Sequence, residues 1–149
     1  MRIIIDADAV PSAVKEILFR ASVRNRIPLI MVANIKLKHP ASEYISSVVV
    51  SAGPDEADDY IAEMTIESDL VITADIPLAD RVVSKGGCAL NPRGAIYTKE
   101  NIKERLAMRD LMDELRNGGI DTGGPAPFTD RDRREFANSL DTYIRKKHP

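Results

Sequence analysis

Ile3-Ile4-Ile5-Asp6-Ala7-Asp8 opens the chain with a branched aliphatic run that goes straight into acids. Leu70-Val71-Ile72-Thr73-Ala74-Asp75 repeats the pattern. Val48-Val49-Val50 leads, after a Gly-Pro turn, into Asp55-Glu56-Ala57-Asp58-Asp59. Apolar runs this short, rich in branched side chains, read as strands buried on both faces. Helical patterns separate them, which indicates a parallel sheet with helices on each side. In such a sheet the C-terminal strand ends share one edge, and ligands bind there. The three acidic groups are therefore expected to converge. Like charges in one crevice repel, and a hard divalent cation, Mg²⁺ or Mn²⁺, is the simplest group to neutralise them.

Working outward, strands are expected over residues 2–6, 28–33, 47–51, 69–73 and 88–90. Helices are expected from Pro11 to about residue 25, over 55–66, and from Pro77 to the Gly86-Gly87 pair. The last third reads as helical. Thr98 can cap a helix to about residue 117, residues 118–127 form a glycine-rich loop, and Thr129 or Asp130 caps a final helix. The expected architecture is a three-layer α/β fold, Rossmann-like, with a parallel sheet of about five strands and two C-terminal helices. A chain of 149 residues is expected to form one domain over 1–149.

Composition narrows the function classes. The chain is 44% hydrophobic and 30% charged, with a net charge of −2, which suits a soluble protein rather than a strongly basic nucleic-acid coat. A metal-dependent nuclease need not be basic, because its metals attract the phosphate. No apolar run approaches a membrane span and no secretory signal is visible, so a cytoplasmic protein without a membrane partner is expected. The single cysteine, Cys88, excludes an internal disulfide and reads as a buried, inert thiol.

Each candidate has a structural alternative. Asp6 is a metal ligand or a turn residue. Asp8 is a ligand or the cap of the first helix. Asp55 is the natural cap of its helix. With Ala57, Tyr60, Ile61 and Met64 as that helix's buried face, Asp58 borders the face and Asp59 points to solvent. Asp75 is a ligand, a helix cap, or both. Asp80 is a ligand or solvated surface. Arg93, in the Asn91-Pro92-Arg93-Gly94 turn, is a substrate-phosphate candidate. Arg109 falls within the apolar stripe of Ile102, Leu106, Met108, Met112 and Leu115, so it contacts either substrate phosphate or an internal carboxylate. His39 and His148 are the only histidines and stand far apart, so neither a catalytic triad nor a histidine-rich zinc site is supported.

Taken together, Ile-Ile-Ile-Asp-Ala-Asp-Ala (3–9), Asp-Glu-Ala-Asp-Asp-Tyr-Ile (55–61), Val-Ile-Thr-Ala-Asp-Ile-Pro-Leu-Ala (71–79), Ala-Leu-Asn-Pro-Arg-Gly (89–94) and Thr-Gly-Gly-Pro (122–125) resemble the YaiI/YqxD family of small bacterial proteins. That family in turn looks like a branch of the PIN-like nucleases. The resemblance implies a metal-dependent nuclease that hydrolyses phosphodiesters, preferably of single-stranded RNA, with Asp6, Asp58 and Asp75 as catalytic metal ligands. It also implies that strand 1 lies beside strand 4. Asp8 and Pro11 depart from the general PIN pattern. Other readings remain open. Asp6-Ala7-Asp8-Ala9-Val10 fits the opening of a haloacid-dehalogenase-like phosphatase, with Thr73 and Lys85 in its later roles, although Asp58-Asp59 comes too early. A phospho-receiver domain would need an acid right at the end of strand 3. A non-catalytic RNA- or protein-binding module on the same fold is the third.

Overall fold

The computed structural model describes residues 1–123 and 126–148. Its element order is β1 (Ile3–Asp6), a single 3-10 turn (Ala7–Ala9), α1 (Ser12–Asn25), β2 (Leu29–Ala33), β3 (Ile45–Val49), α2 (Glu56–Met64), β4 (Leu70–Ile72), α3 (Ile76–Ser84), β5 (Cys88–Leu90), β6 (Ile96–Tyr97), α4 (Ile102–Asn117) and α5 (Asp130–Lys147). The strands form one sheet in the order β3-β2-β1-β4-β5-β6. All neighbours pair in parallel except β5 and β6, which are antiparallel. The chain winds outward from β1 in one direction and then restarts at β4 on the other side. The topological switch point therefore lies between β1 and β4.

Side-chain alternation divides the core into two layers. Ile3 and Ile5 of β1 pack with Leu70 and Ile72 of β4 against Val14 and Leu18 of α1 and Phe136, Leu140 and Ile144 of α5. Ile4 and Val71 face the other way, onto Ile61 of α2, Leu78 and Val82 of α3 and Ile102 of α4. Successive residues of a strand point to opposite faces. Asp6 shares the parity of Ile4, and Thr73 that of Val71. Both therefore point toward the layer that holds α2 and α3.

Several boundaries differ from the sequence reading. β3 spans Ile45–Val49 rather than 47–51, because its register is set by β2, with Leu29 opposite Ile45 and Ala33 opposite Val49. As an edge strand it is buried on one side only, so its valine run is no guide to its limits. β6 is a sixth strand, too short at two residues to show any periodicity. It returns through a tight turn in which Gly94 adopts φ +98° and donates its N–H to the Asn91 carbonyl at 2.9 Å. A Cβ at Gly94 would stand 2.8 Å from the Glu135 backbone, so glycine lets α5 approach this turn. Thr129 caps α5, its hydroxyl accepting the Asp132 N–H in a reciprocal capping box. Gly124 and Pro125 of the expected loop lie outside the described residues. Among the described residues no helix is long and apolar enough to cross a membrane.

Candidate functional site

The switch point places the first two carboxylates. Asp6 ends β1, and Ile5 pairs with Ile72, so the next residues, Asp6 and Thr73, emerge side by side. Thr73 is fully buried and Asp6 is only 6% exposed. The Thr73 hydroxyl donates to Asp6 Oδ2 at 3.2 Å and accepts the Asp75 N–H at 3.0 Å. Asp75 caps α3, its Oδ1 accepting the Leu78 N–H at 2.9 Å. One hydroxyl thus ties the end of β1 to the start of α3. Sequence reading passed over this role of Thr73, although its parity with Val71 already turns it toward the α2–α3 layer.

The third carboxylate comes from α2. Its buried stripe is Ala57, Asp58, Ile61, Ala62 and Thr65, with Ile61, Ala62 and Thr65 fully inside. Tyr60, expected inside, is 36% exposed, because the stripe runs one position away from it. The correction moves Asp58 from the border of the buried face into it. Asp58 lies in hydrogen-bonding contact with Asp75 and feels the charge of Asp6. Burial, then repulsion by Asp75 and Asp6, pushes its carboxyl up to about 6. Burial also holds the Asp6 carboxyl above the usual range, opposed by the Thr73 hydrogen bond and reinforced by the charges of Asp75 and Asp8.

The remaining candidates are placed differently. Asp8 lies in the 3-10 turn after Asp6 and accepts the Asn34 N–H at 2.8 Å. It does not cap α1, whose first turn has no side-chain cap. Asp55 occupies the cap position of α2, also without a side-chain cap bond. Asp59 faces solvent as expected and pairs with Arg81 at 2.7 Å. Asp80 pairs with Lys103 of α4 at 3.0 Å, which turns it toward α4. Arg93 follows β5 at the same sheet edge, but its guanidinium is engaged with Asp132 at 2.8 Å and with the Ala126 carbonyl, and it stacks on Phe128. It clasps the start of α5 to the β5–β6 turn. Arg109, expected half-buried, is 44% exposed and pairs along its own helix with Asp113 at 3.1 Å. α4 packs chiefly on α3 and fully buries only Ile102, so Met108 also stands outside the expected stripe.

A sorting of the acids follows. Asp59, Asp69, Asp80 and Asp132 each have a Lys or Arg partner. Among the described residues Asp6, Asp8, Asp58 and Asp75 have none within ion-pairing distance. The hydrogen-bond donors to these acids, among the described residues, are the Thr73 hydroxyl and the Asn34 and Leu78 backbone N–H groups. Among the described residues no three His, Cys, Asp or Glu side chains form a ready-made metal-binding group. Asp6, Asp58 and Asp75 therefore stand close enough for their charges to act on one another without closing a coordination shell.

A cavity of about 690 Å³ opens at the other, N-terminal edge of the sheet, between Glu67, Gly86, Cys88, Tyr97, Tyr143 and Lys147. None of the crevice acids lines it. Cys88 is half-buried there rather than fully enclosed, and burial pushes its thiol up, away from the reactive thiolate. Volume alone does not make this the active site, because the acids without an ion-pair partner among the described residues, Asp6, Asp58 and Asp75, are at the opposite edge.

The comparisons with known proteins agree on kinship. Residues 4–146 match the model of a family described as "Uncharacterized BCR, YaiI/YqxD family". A UPF0178 protein of Geobacter sulfurreducens is 59% identical over 147 residues, covering 98% of this chain and 97% of the relative. A UPF0178 protein of Hahella chejuensis is 56% identical over 146 residues, covering 98% and 97%. A third, from Marinomonas sp., is 54% identical over 147 residues and covers 99% of each chain. No solved structure matches the chain. With a family model spanning almost its whole length and relatives this similar, the chain belongs to the YaiI/YqxD (UPF0178) family.

Proposed function

We propose that this protein is a phosphodiesterase that takes Mg²⁺ or Mn²⁺ at its carboxylate crevice, with single-stranded RNA as the preferred substrate. One observation carries the reading. Asp6, Asp58 and Asp75 stand near enough at the switch point for their charges to interact, and among the described residues none has a cationic side chain within ion-pairing distance, while Asp59, Asp69, Asp80 and Asp132 are all ion-paired. Uncompensated carboxylates whose charges raise the proton affinity of Asp6 and Asp58 favour a cation ligand. The donor set suits a hard ion. Mg²⁺ typically uses one or two carboxylates and keeps several waters, so the open arrangement is chemically compatible.

Asp6, Asp58 and Asp75 would hold the ion, with Asp8 as an outer contributor. Asp80 is turned away by Lys103. When bound, the ion supplies charge neutralisation and the Lewis acidity that phosphodiester hydrolysis needs. Thr73 fixes the rotamer of Asp6, and the Leu78 N–H fixes that of Asp75. The N-termini of α2 and α3 aim partial positive charge at the same crevice, which favours an anionic substrate there. The PIN-like resemblance adds RNA as the polymer.

The phosphatase reading is weakened by Lys85. Its ammonium donates to the Ala62 and Glu63 carbonyls at the C-terminal end of α3, away from Asp75 at the other end.

The test is cleavage of mixed oligonucleotides with Mn²⁺ or Mg²⁺, which should be lost in Asp6→Asn and Asp75→Asn. Turnover of small phosphate monoesters with none of oligonucleotides would replace the reading with a phosphatase. Inactivity on both, with metal binding retained, would leave a binding module. Calorimetry showing no uptake at millimolar metal would remove the metal site.

A further inference from the structure

We infer that the β2–β3 connection carries the contact for the substrate's phosphate backbone, through Lys36 and Lys38, and that the ligand is therefore a single-stranded polyanion rather than an isolated phosphate ester. The inference rests on reading the crevice as a phosphodiester site. It starts from the arginines. Arg93 is committed to Asp132 and the Ala126 carbonyl, and Arg109 to Asp113. Arg81 and Lys103, the cations on the α3 side, are neutralised by Asp59 and Asp80. A substrate at the carboxylate edge must find its positive charge elsewhere.

Lys36 and Lys38 meet that need by position. β2 pairs with β1, with Val32 opposite Asp6, so the segment after Ala33 leaves the sheet one strand away from the first crevice carboxylate. The Asn34 N–H is bonded to Asp8, which fixes the start of the segment to the turn that follows Asp6. Leu37 is packed against the α1–α5 core layer, while Lys36 and Lys38 on either side of it are exposed. An apolar anchor between two exposed lysines presents them at a defined place instead of leaving them on a free tether. Among the described residues neither lysine has an ion-pair partner. They stand on a different connection from all three crevice carboxylates. A phosphate held among Asp6, Asp58 and Asp75 would leave the lysines for neighbouring phosphates of the same strand. Lysine acts here as a point charge without base readout, so the contact is indifferent to sequence.

The experiment measures binding of a fluorescein-labelled, mixed-sequence single-stranded RNA by anisotropy. Mn²⁺ is held at one fixed concentration to occupy the carboxylates, and the RNA carries phosphorothioate linkages so that cleavage plays no part. The full chain is compared with Lys36→Ala/Lys38→Ala and with Lys99→Ala/Lys147→Ala. The second variant removes the same charge from the opposite sheet edge, where those lysines border the cavity. Two lost contacts to a single strand should reduce the slope of log K against log salt by about 1.4, or about 25-fold in affinity near 0.1 M salt. The opposite-edge variant should keep the parent slope. Equal loss in both variants would overturn the inference, because it would reflect net charge alone. An unchanged slope in the Lys36/Lys38 variant would overturn it too, even if metal-dependent cleavage occurs. A reduced slope confined to Lys36/Lys38, in a protein that cleaves nothing, would support the contact and refute only the hydrolysis. Inorganic phosphate competing as well as the oligonucleotide would overturn the polymeric assignment.

Discussion

Asp58→Asn should make the metal-free protein more stable at neutral pH. Asn keeps the size of the side chain and can still donate to Asp75, but carries no charge to be repelled. The sign follows from the proton balance. Asp58 is pushed up from 3.8 to about 6 in the fold, by burial first and by Asp75 and Asp6 next. Well below pH 3.8 both folded and unfolded states are protonated, and the group costs nothing. As pH rises through the window from 3.8 to about 6, the unfolded chain releases its proton while the folded chain keeps it, so stability falls. Above that window the penalty is complete. A shift of about two pKa units corresponds to about 3 kcal/mol, and partial solvent exposure reduces this to about 1–2 kcal/mol. Urea denaturation in EDTA should therefore show the variant more stable by that amount at about pH 7.5, with the difference shrinking as pH falls toward 3.8 and below. The melting temperature should rise by about 3–6 °C at the higher pH. Saturating Mn²⁺ should stabilise the parent and not the variant, since only the parent retains the full donor set. A variant no more stable than the parent at neutral pH in EDTA would refute the claim that these carboxylates repel one another.

Two further substitutions probe the frame of the site. Thr73→Val removes the hydroxyl shared by Asp6 and the Asp75 N–H. It should cost about 1.5–3 kcal/mol in urea denaturation and weaken Mn²⁺ binding in calorimetry, whereas a purely packing role would leave metal affinity unchanged. Gly94→Ala should cost about 2–3 kcal/mol, because it combines a left-handed backbone position with a Cβ pressed on α5, and a melting temperature within a degree of the parent would contradict the close approach.

Asp6 and Asp75 were legible in the sequence because strand-end position is itself a sequence property. An apolar run identifies a strand, and its last residue lies at the edge where ligands collect. The placement of β1 beside β4 came from the family resemblance, and the sheet order agrees with it. Asp58 was legible as a borderline position, since a helical wheel resolves a face only to within a residue. The error over Tyr60 shows that limit. The tyrosine is apolar enough to be assigned inward, but Ala62, being small, lets α2 approach the sheet on the neighbouring line. Arg93 and Asp80 were ambiguous for a different reason. Their partners, Asp132 and Lys103, are 39 and 23 residues away in the chain, and no local pattern encodes an ion pair between distant elements. β6 carried no signal because two residues cannot display alternation.

The contrast between Asp69 and Asp58 shows how this fold treats its acids. The Asp69 side chain is almost completely buried, yet Arg2 meets it with two hydrogen bonds at 3.0 and 2.7 Å, and the Ile66 N–H adds a third at 2.9 Å. A structural carboxylate is thus satisfied from within the chain, as buried charges must be. Asp58 is less buried and receives none of this. Its neighbours are Asp75 and Asp6, and its compensation is a place in the first turn of α2, worth about 0.3–1 kcal/mol. That is smaller than the penalty of about 1–2 kcal/mol derived above, so a net cost remains in the unliganded fold. A hydrophobic or neutral residue at position 58 would remove the cost and keep the packing with Ile61 and Ala62. A carboxylate there is therefore not explained by stability. The cation proposed for this site would turn the repulsion into binding energy, and it would bring an anionic phosphodiester to an otherwise acidic edge.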